Sequence, residues 1–184
     1  MRFEHTDEYK LGEEGERTAE ALLKEAGCFI LPARLYTGEG APKLQGETFG
    51  HLIGLIAPDL FVARGGNAFW VEVKTKRTCG NFRKYRTKTH AIDRRHWHHY
   101  LDVERESGNP VSIMVIERDT GNVLIARRDA LHPHLIMGEG PKLGSTYCFP
   151  RGRFELFATL GEGEFFQLRS PKWFTTKLSA APSS

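Results

Sequence analysis

Ala19, Leu22, Leu23 and Ala26 recur at i, i+3, i+4 and i+7, the spacing of a helical stripe that turns one face to a core. Gly27 follows as a natural C-terminal stop. After it the period changes. Residues 58–64 (PDLFVAR) read as a strand, Gly65-Gly66-Asn67 as a turn, and Phe69, Trp70, Val71, Glu72, Val73 and Lys74 as the second arm of a hairpin, because β-branched and aromatic runs around a glycine pair favour that arrangement. Residues 93–106 predict a second helix with Asp93 as its N-cap. Two further strands, 111–117 and 122–126, meet at a turn over 118–121 and complete the sheet.

The stretch 36–56 holds five glycines (Gly38, Gly40, Gly46, Gly50, Gly54). It reads either as a mobile substrate loop or as a long surface connection with 52–56 tucked back as a strand or short helix, and no catalytic residue is assigned to it. The last third is rich in aromatics, including Tyr147, Phe149, Phe154, Phe157, Phe165, Phe166, Trp173 and Phe174. Core is the preferred reading for them over an interaction surface. Residues 179–184 are small and polar enough to predict a disordered tail, which leaves 1–178 as a single domain.

Residues two apart on a strand share a face, so Glu72 and Lys74 project together, while Val71 and Val73, with Phe69 and Trp70, supply apolar packing. Asp59 begins the other arm. A carboxylate from each arm and one ammonium therefore converge at one end of the hairpin. Two carboxylates, together with waters and substrate phosphate oxygens, suit Mg²⁺. Beside such a cation an ammonium orients an attacking water and opposes charge growing on a phosphate, while the cation polarises phosphorus and lowers the pKa of the water. The reaction this predicts is hydrolysis of a phosphodiester. On the first helix Glu16 lies nearer the edge of the apolar stripe than Glu20 does, so Glu16 points along the sheet toward the hairpin carboxylates, with Glu20 as the alternative acid. Taken singly, an E-x-K is usually a solvated sheet face and Pro-Asp ordinary turn chemistry. Their order on one hairpin, behind an amphipathic helix carrying an acid, is what points to a site.

These residues resemble the PD-(D/E)xK nuclease superfamily, the restriction-endonuclease-like fold that includes archaeal Holliday-junction resolvases and RecB-type nuclease domains, over roughly residues 11–117. The resemblance implies an α/β restriction-endonuclease-like core, a central mixed β-sheet flanked by helices. It implies that Glu16, Asp59, Glu72 and Lys74 are the catalytic set. It further implies Mg²⁺ or Mn²⁺ held by Asp59, Glu72 and the main-chain carbonyl of Val73, and products with 5′-phosphate and 3′-hydroxyl ends.

Charge is segregated along the chain: net −5 over residues 1–60, +8 over 61–100 and zero thereafter, which the total of +3 conceals. Lys76, Arg77, Arg83, Lys84, Arg86 and Lys88, interleaved with Phe82 and Tyr85 and followed by Trp97, suit a phosphate backbone and unstacked bases, the alternative being a solubilising loop. His96 and Tyr100 stand one helical turn apart and look like the Q-x-x-x-Y element of RecB-type nucleases with His in place of Gln. A neutral imidazole at a helix N-terminus suits an anion; packing and solvation are the alternatives for the pair.

Composition narrows the rest. A chain of 184 residues with 40% hydrophobic content buries a core without disulfides. Three cysteines with no C-x-x-C, and the polar start Met1-Arg2-Phe3-Glu4-His5, predict a reducing cytoplasm and no secretory signal. No apolar run approaches a membrane span. His90, His96, His98 and His99 cluster, and His132 and His134 flank Pro133, but without a close cysteine pair a structural zinc is not expected. No P-loop or dinucleotide fingerprint occurs. The expected partner is nucleic acid, DNA before RNA, with a homodimer or sequential nicking as the route to cutting both strands. The rival readings are a non-catalytic nucleic-acid-binding module and a structural partner with a nuclease-like fold.

Overall fold

The stripe on the first helix is buried as its spacing requires. Helix α1 (Asp7–Glu25) sets Ala19, Leu22 and Leu23 into the core, where each buried leucine contributes roughly 1.5–3 kcal/mol. It ends in a Schellman motif: Gly27 adopts φ 80°, its N–H reaches the Lys24 carbonyl, and the Cys28 N–H reaches that of Leu23. The structure, a computed structural model, describes residues 7–33, 43–48, 51–82, 87–132, 135–137, 146–161, 166–169, 171 and 174.

After α1 come β1 (Phe29–Pro32), β2 (Lys43–Thr48), β3 (His51–Ile56), β4 (Leu60–Arg64), β5 (Asn67–Lys76), β6 (Gly80–Phe82), β7 (Thr87–Asp93), helix α2 (Arg94–Ser107), β8 (Val111–Glu117) and β9 (Asn122–Arg127). β10 (Leu135–Met137), β11 (Thr146–Pro150), β12 (Glu155–Leu160) and β13 (Phe166–Leu168) follow. The main sheet has the order β1-β4-β5-β8-β9-β12-β13. Its one parallel pair is β5 with β8, and the chain crosses between them through α2. This is a mixed α/β core with the helix, strand, hairpin, helix, strand order of a restriction-endonuclease-like fold.

The β4–β5 hairpin turns on Gly65 and Gly66, both at positive φ, with Leu60 opposite Val71 and Arg64 opposite Asn67. β8 and β9 form as expected around the turn at 118–121. The segment 52–56 lies within β3, which pairs with β2. The basic region is not a plain loop: β6 and β7 belong to a second sheet, β10-β11-β7-β6.

The main sheet is covered on both faces. On one, α1 packs over Val71, Val73, Met114 and Ile116. On the other, α2 contributes Trp97, Tyr100 and Val103 over Trp70, Ile113 and Val115. Phe69 and Trp70 therefore belong to opposite cores, and Trp70 shares the face of Glu72 and Lys74 rather than that of Val71 and Val73. Asp93 caps α2, its carboxylate accepting from the Arg95 N–H at 2.7 Å. At the far end Glu104 accepts from the Val111 N–H at 2.8 Å and meets Arg128 at 2.6 Å, which pins the helix to the start of β8. Of the C-terminal aromatics, Phe149, Phe154, Phe157 and Phe174 are buried; Phe165, Trp173 and the tail at 179–184 lie outside the described residues. No helix among the described residues is long and apolar enough to cross a membrane.

Candidate active site

Asp59 sits immediately before β4, and what it does there follows from the ladder. The Trp70 N–H bonds the Pro110 carbonyl, and the Lys76 carbonyl accepts from Arg118 N–H, so the even-numbered residues of β5 turn their backbone toward β8. The odd-numbered ones turn toward β4. β4 begins at Leu60 opposite Val71, and continuing that register by two residues would put Pro58 opposite Val73. Proline has no N–H to offer the Val73 carbonyl. The Asp59 side chain closes the ladder instead, its Oδ2 accepting the Val73 N–H at 2.7 Å. The Val73 carbonyl projects from the same edge of the strand.

Glu72 and Lys74 stand side by side on the α2 face, Lys74 Nζ 2.5 Å from Glu72 Oε1. Glu72 is buried and Lys74 largely so. Burial works against the charge on Lys74, but Glu72, Asp59 and Glu16 together outweigh it and hold its pKa above the usual lysine value, so it is an ammonium at neutral pH. Asp59 is pushed well above the ordinary carboxylate range, by burial first and then by Glu72, with Lys74 opposing and Glu16 adding to the rise. Glu16 thus acts electrostatically on the pair from the α1 side. Glu20 instead lies 3.9 Å from Lys24 and is not among the leading charges acting on Asp59 or Lys74.

The means by which α1 comes so close is Gly15, a position the sequence reading passed over. A β-carbon there would overlap the Thr75 hydroxyl, so only glycine lets the helix backbone rest on β5 beside Lys74. A glycine inside a helix costs about 1 kcal/mol relative to alanine, and that misfit is the sequence signal that could have revealed it.

From the other side α2 brings His96 and Tyr100. His96 is half-buried, its pKa lowered by burial and by Lys74 against the pull of Glu72 and Asp93. The buried Tyr100 phenol is held firmly protonated by desolvation and by neighbouring Glu72, although its hydroxyl makes no well-formed hydrogen bond. The structure therefore gathers Glu16, Asp59, Glu72, Val73, Lys74, His96 and Tyr100 at one end of the hairpin.

The basic residues separate. Lys76 follows Lys74 on the same face of β5 and is half-buried. Arg77 is exposed, 3.5 Å from Asp119, and Lys88 is exposed on β7. Arg83, Lys84 and Arg86 lie outside the described residues. Beyond Lys76 lies a cluster that sequence could not assemble. Buried Glu117 accepts from Arg151 at 2.7 and 2.8 Å and from the Thr120 hydroxyl at 3.0 Å. His90 Nε2 is 3.1 Å away but out of line for a hydrogen bond. Burial alone would raise the Glu117 pKa; the Arg151 and Thr120 hydrogen bonds overcome it and push it down to about 2. The cluster ties the second sheet to β8 and leaves Glu117 no spare charge.

Asp59, Glu72 and the Val73 carbonyl offer oxygen donors at the hairpin end, the kind a hard divalent cation takes. Asp59 accepts the Val73 N–H through one oxygen and Glu72 meets Lys74 through one oxygen, and Asp59 carries a surplus of negative neighbours that a cation would relieve. Among the described residues no three His, Cys, Asp or Glu side chains gather as a metal-ligand group, so a third ligand would have to come from the Val73 carbonyl or from water.

No family model matches the chain, and no curated protein matches it in sequence. Among solved structures it is similar to a Holliday junction resolvase of the archaeal hyperthermophile Archaeoglobus fulgidus. The two are 12% identical with a TM-score of 0.49 over 78% of this chain and 86% of that one. A likeness of that size assigns no residue a role.

Proposed function

We propose that this chain is a metal-dependent nuclease hydrolysing phosphodiester bonds in nucleic acid, DNA in preference to RNA. The observation that carries the reading is the Asp59 carboxylate on the Val73 N–H beside the Glu72–Lys74 pair, with Glu16 acting electrostatically on Asp59 and Lys74. Asp59 and Glu72 would hold Mg²⁺ or Mn²⁺ through carboxylate oxygens, with the Val73 carbonyl as a third ligand. When bound, such a cation polarises the phosphate and lowers the pKa of water.

The remaining work falls to side chains. Lys74 is an ammonium and acts as one: it donates to the attacking water, orienting a lone pair at phosphorus, and opposes charge on the phosphate oxygens. Lacking a lone pair of its own, it cannot take the water's proton. That role passes to a carboxylate, and Glu16 is the one not needed for the cation. The water oxygen bonds to phosphorus, the phosphorus–O3′ bond breaks, and the departing oxygen takes a proton from solvent to leave as a 3′-hydroxyl. His96, neutral at the start of α2, and the protonated Tyr100 hydroxyl flank Glu72 and the substrate phosphate. Arg77 and Lys88 extend a basic surface for the backbone. One site per chain cuts one strand per encounter, so severing a duplex takes a homodimer or two encounters.

The rival reading, a nucleic-acid-binding module that does not cut, draws on the missing third metal-binding side chain among the described residues. One experiment decides between them. Purified protein is incubated with supercoiled plasmid, linear duplex, single-stranded DNA and a four-way junction, each with Mg²⁺, Mn²⁺ or EDTA, beside Lys74→Ala and Asp59→Ala. Metal-dependent cutting lost in both variants supports the nuclease. Binding without cutting, indifferent to metal and to both substitutions, replaces it with the module.

A further inference from the structure

β5 carries Glu72, Lys74 and Lys76 in succession on one face. The first two neutralise each other at 2.5 Å. Lys76 has no such arrangement. Its neighbour in register on β8 is Glu117, and both oxygens of that carboxylate are taken by Arg151, one of them also by Thr120. Burial and the Lys74 ammonium both act against the charge on Lys76, and no carboxylate among the described residues acts in its favour. A half-buried ammonium beside a second ammonium, without a counter-ion, destabilises the fold. An anion bound at Lys76 relieves that cost.

The spacing says which anion. Positions two apart on a strand are about 7 Å apart, comparable with neighbouring phosphates of one nucleic-acid strand. We infer that Lys76 binds the phosphodiester adjacent to the scissile one and so sets the register of the substrate strand along β5, with the scissile phosphate falling at Lys74. This rests on the nuclease reading above and adds a subsite to it. Lys76 is a positioning residue: it holds substrate without touching the reacting atoms, and it is retained at a cost in stability.

The test uses an oligonucleotide whose cleavage position has been mapped with the wild-type protein. It is then remade with a single uncharged methylphosphonate on one side or the other of the scissile phosphate. Lys76→Gln is expected to raise KM about tenfold with kcat nearly unchanged, and to abolish sensitivity to one of the two methylphosphonates while leaving the other's effect intact. Lys76→Arg should restore KM. Lys76→Gln should melt no lower than the wild type, which a merely structural lysine would not allow. Wild-type KM in Lys76→Gln, or equal remaining sensitivity to both methylphosphonates, overturns the subsite while leaving the nuclease standing. If the wild type binds but does not cut, the nuclease reading fails separately. The salt dependence of binding then decides: loss of one phosphate contact lowers the log–log slope by about 0.7–0.9 in Lys76→Gln, and an unchanged slope overturns the contact. A wild type that neither cuts nor binds overturns both.

Discussion

Gly15 of α1 and Thr75 of β5 meet where the helix crosses the strand, and a β-carbon on Gly15 would overlap the Thr75 hydroxyl. The contact stands one residue from Glu16 on the helix and one from Lys74 on the strand. The approach that lets a carboxylate from α1 act on the hairpin pair is therefore set by the absence of a side chain.

Replacing that glycine reverses a familiar sign. An alanine inside a helix ordinarily gains about 1 kcal/mol over glycine; here the overlap should turn Gly15→Ala into a loss of about 1–3 kcal/mol. Cleavage should fall with it as Glu16 is displaced. Thr75→Ala in the same chain should recover most of the stability in urea unfolding. A Gly15→Ala protein more stable than wild type and fully active would show that the close approach is dispensable.

Asp59 ties stability to pH. Its folded pKa is raised by burial and then by Glu72, whereas the unfolded carboxyl ionises in the usual range. The stability linked to it in metal-free protein is thus complete below that range and lost as pH rises through the raised folded value. Asp59→Asn keeps an oxygen for the Val73 N–H and removes the titration. In EDTA at neutral pH it should melt higher by about 2–4 °C, corresponding to about 1 kcal/mol, and the gap should close in acid. Mg²⁺ should raise the wild-type melting temperature and leave the variant's unchanged. A variant that melts lower than wild type at neutral pH would rule out the strained carboxylate.

Glu16 and Glu20 are separable by kinetics. If Glu16 accepts the water's proton, Glu16→Gln should lower kcat about 10²-fold, and the rate of what remains should rise with buffer base. Glu20, paired with Lys24 at 3.9 Å on the helix, should tolerate Gln within about threefold, as a helical i,i+4 pair contributes only a few tenths of a kcal/mol. The reverse ranking would move the acid to Glu20.

Glu117 should prove structural. Its pKa of about 2 means that the stability it adds is present above the unfolded carboxylate value and lost as pH falls toward 2. Glu117→Gln breaks the pair with Arg151 and should cost about 3 kcal/mol, at the low end because Arg151 reaches solvent. It should also flatten the acid limb of the stability profile. Undiminished stability of the wild-type protein as pH falls from about 4 to about 2 would contradict the linkage.

What the sequence by itself determined is whatever depends on neighbours a few residues away. The stripe on α1, the glycine turn between β4 and β5, and the Asp93 cap on α2 each follow from local period or turn chemistry. A two-residue turn sets the pairing of its arms, so Asp59 and the Glu72–Lys74 pair could be placed at one end of the hairpin before any fold was known. Tertiary structure alone decided the rest, because it joins residues whose separation along the chain carries no period. The E-x-K face reads as polar, yet α2 covers it, and Trp70 shares that face. Arg151 reaches Glu117 across 34 residues and so takes from Lys76 its carboxylate neighbour in register among the described residues. Gly15 finds Thr75 only once a helix lies across a sheet, since packing in three dimensions, unlike periodicity, leaves no mark on the local sequence.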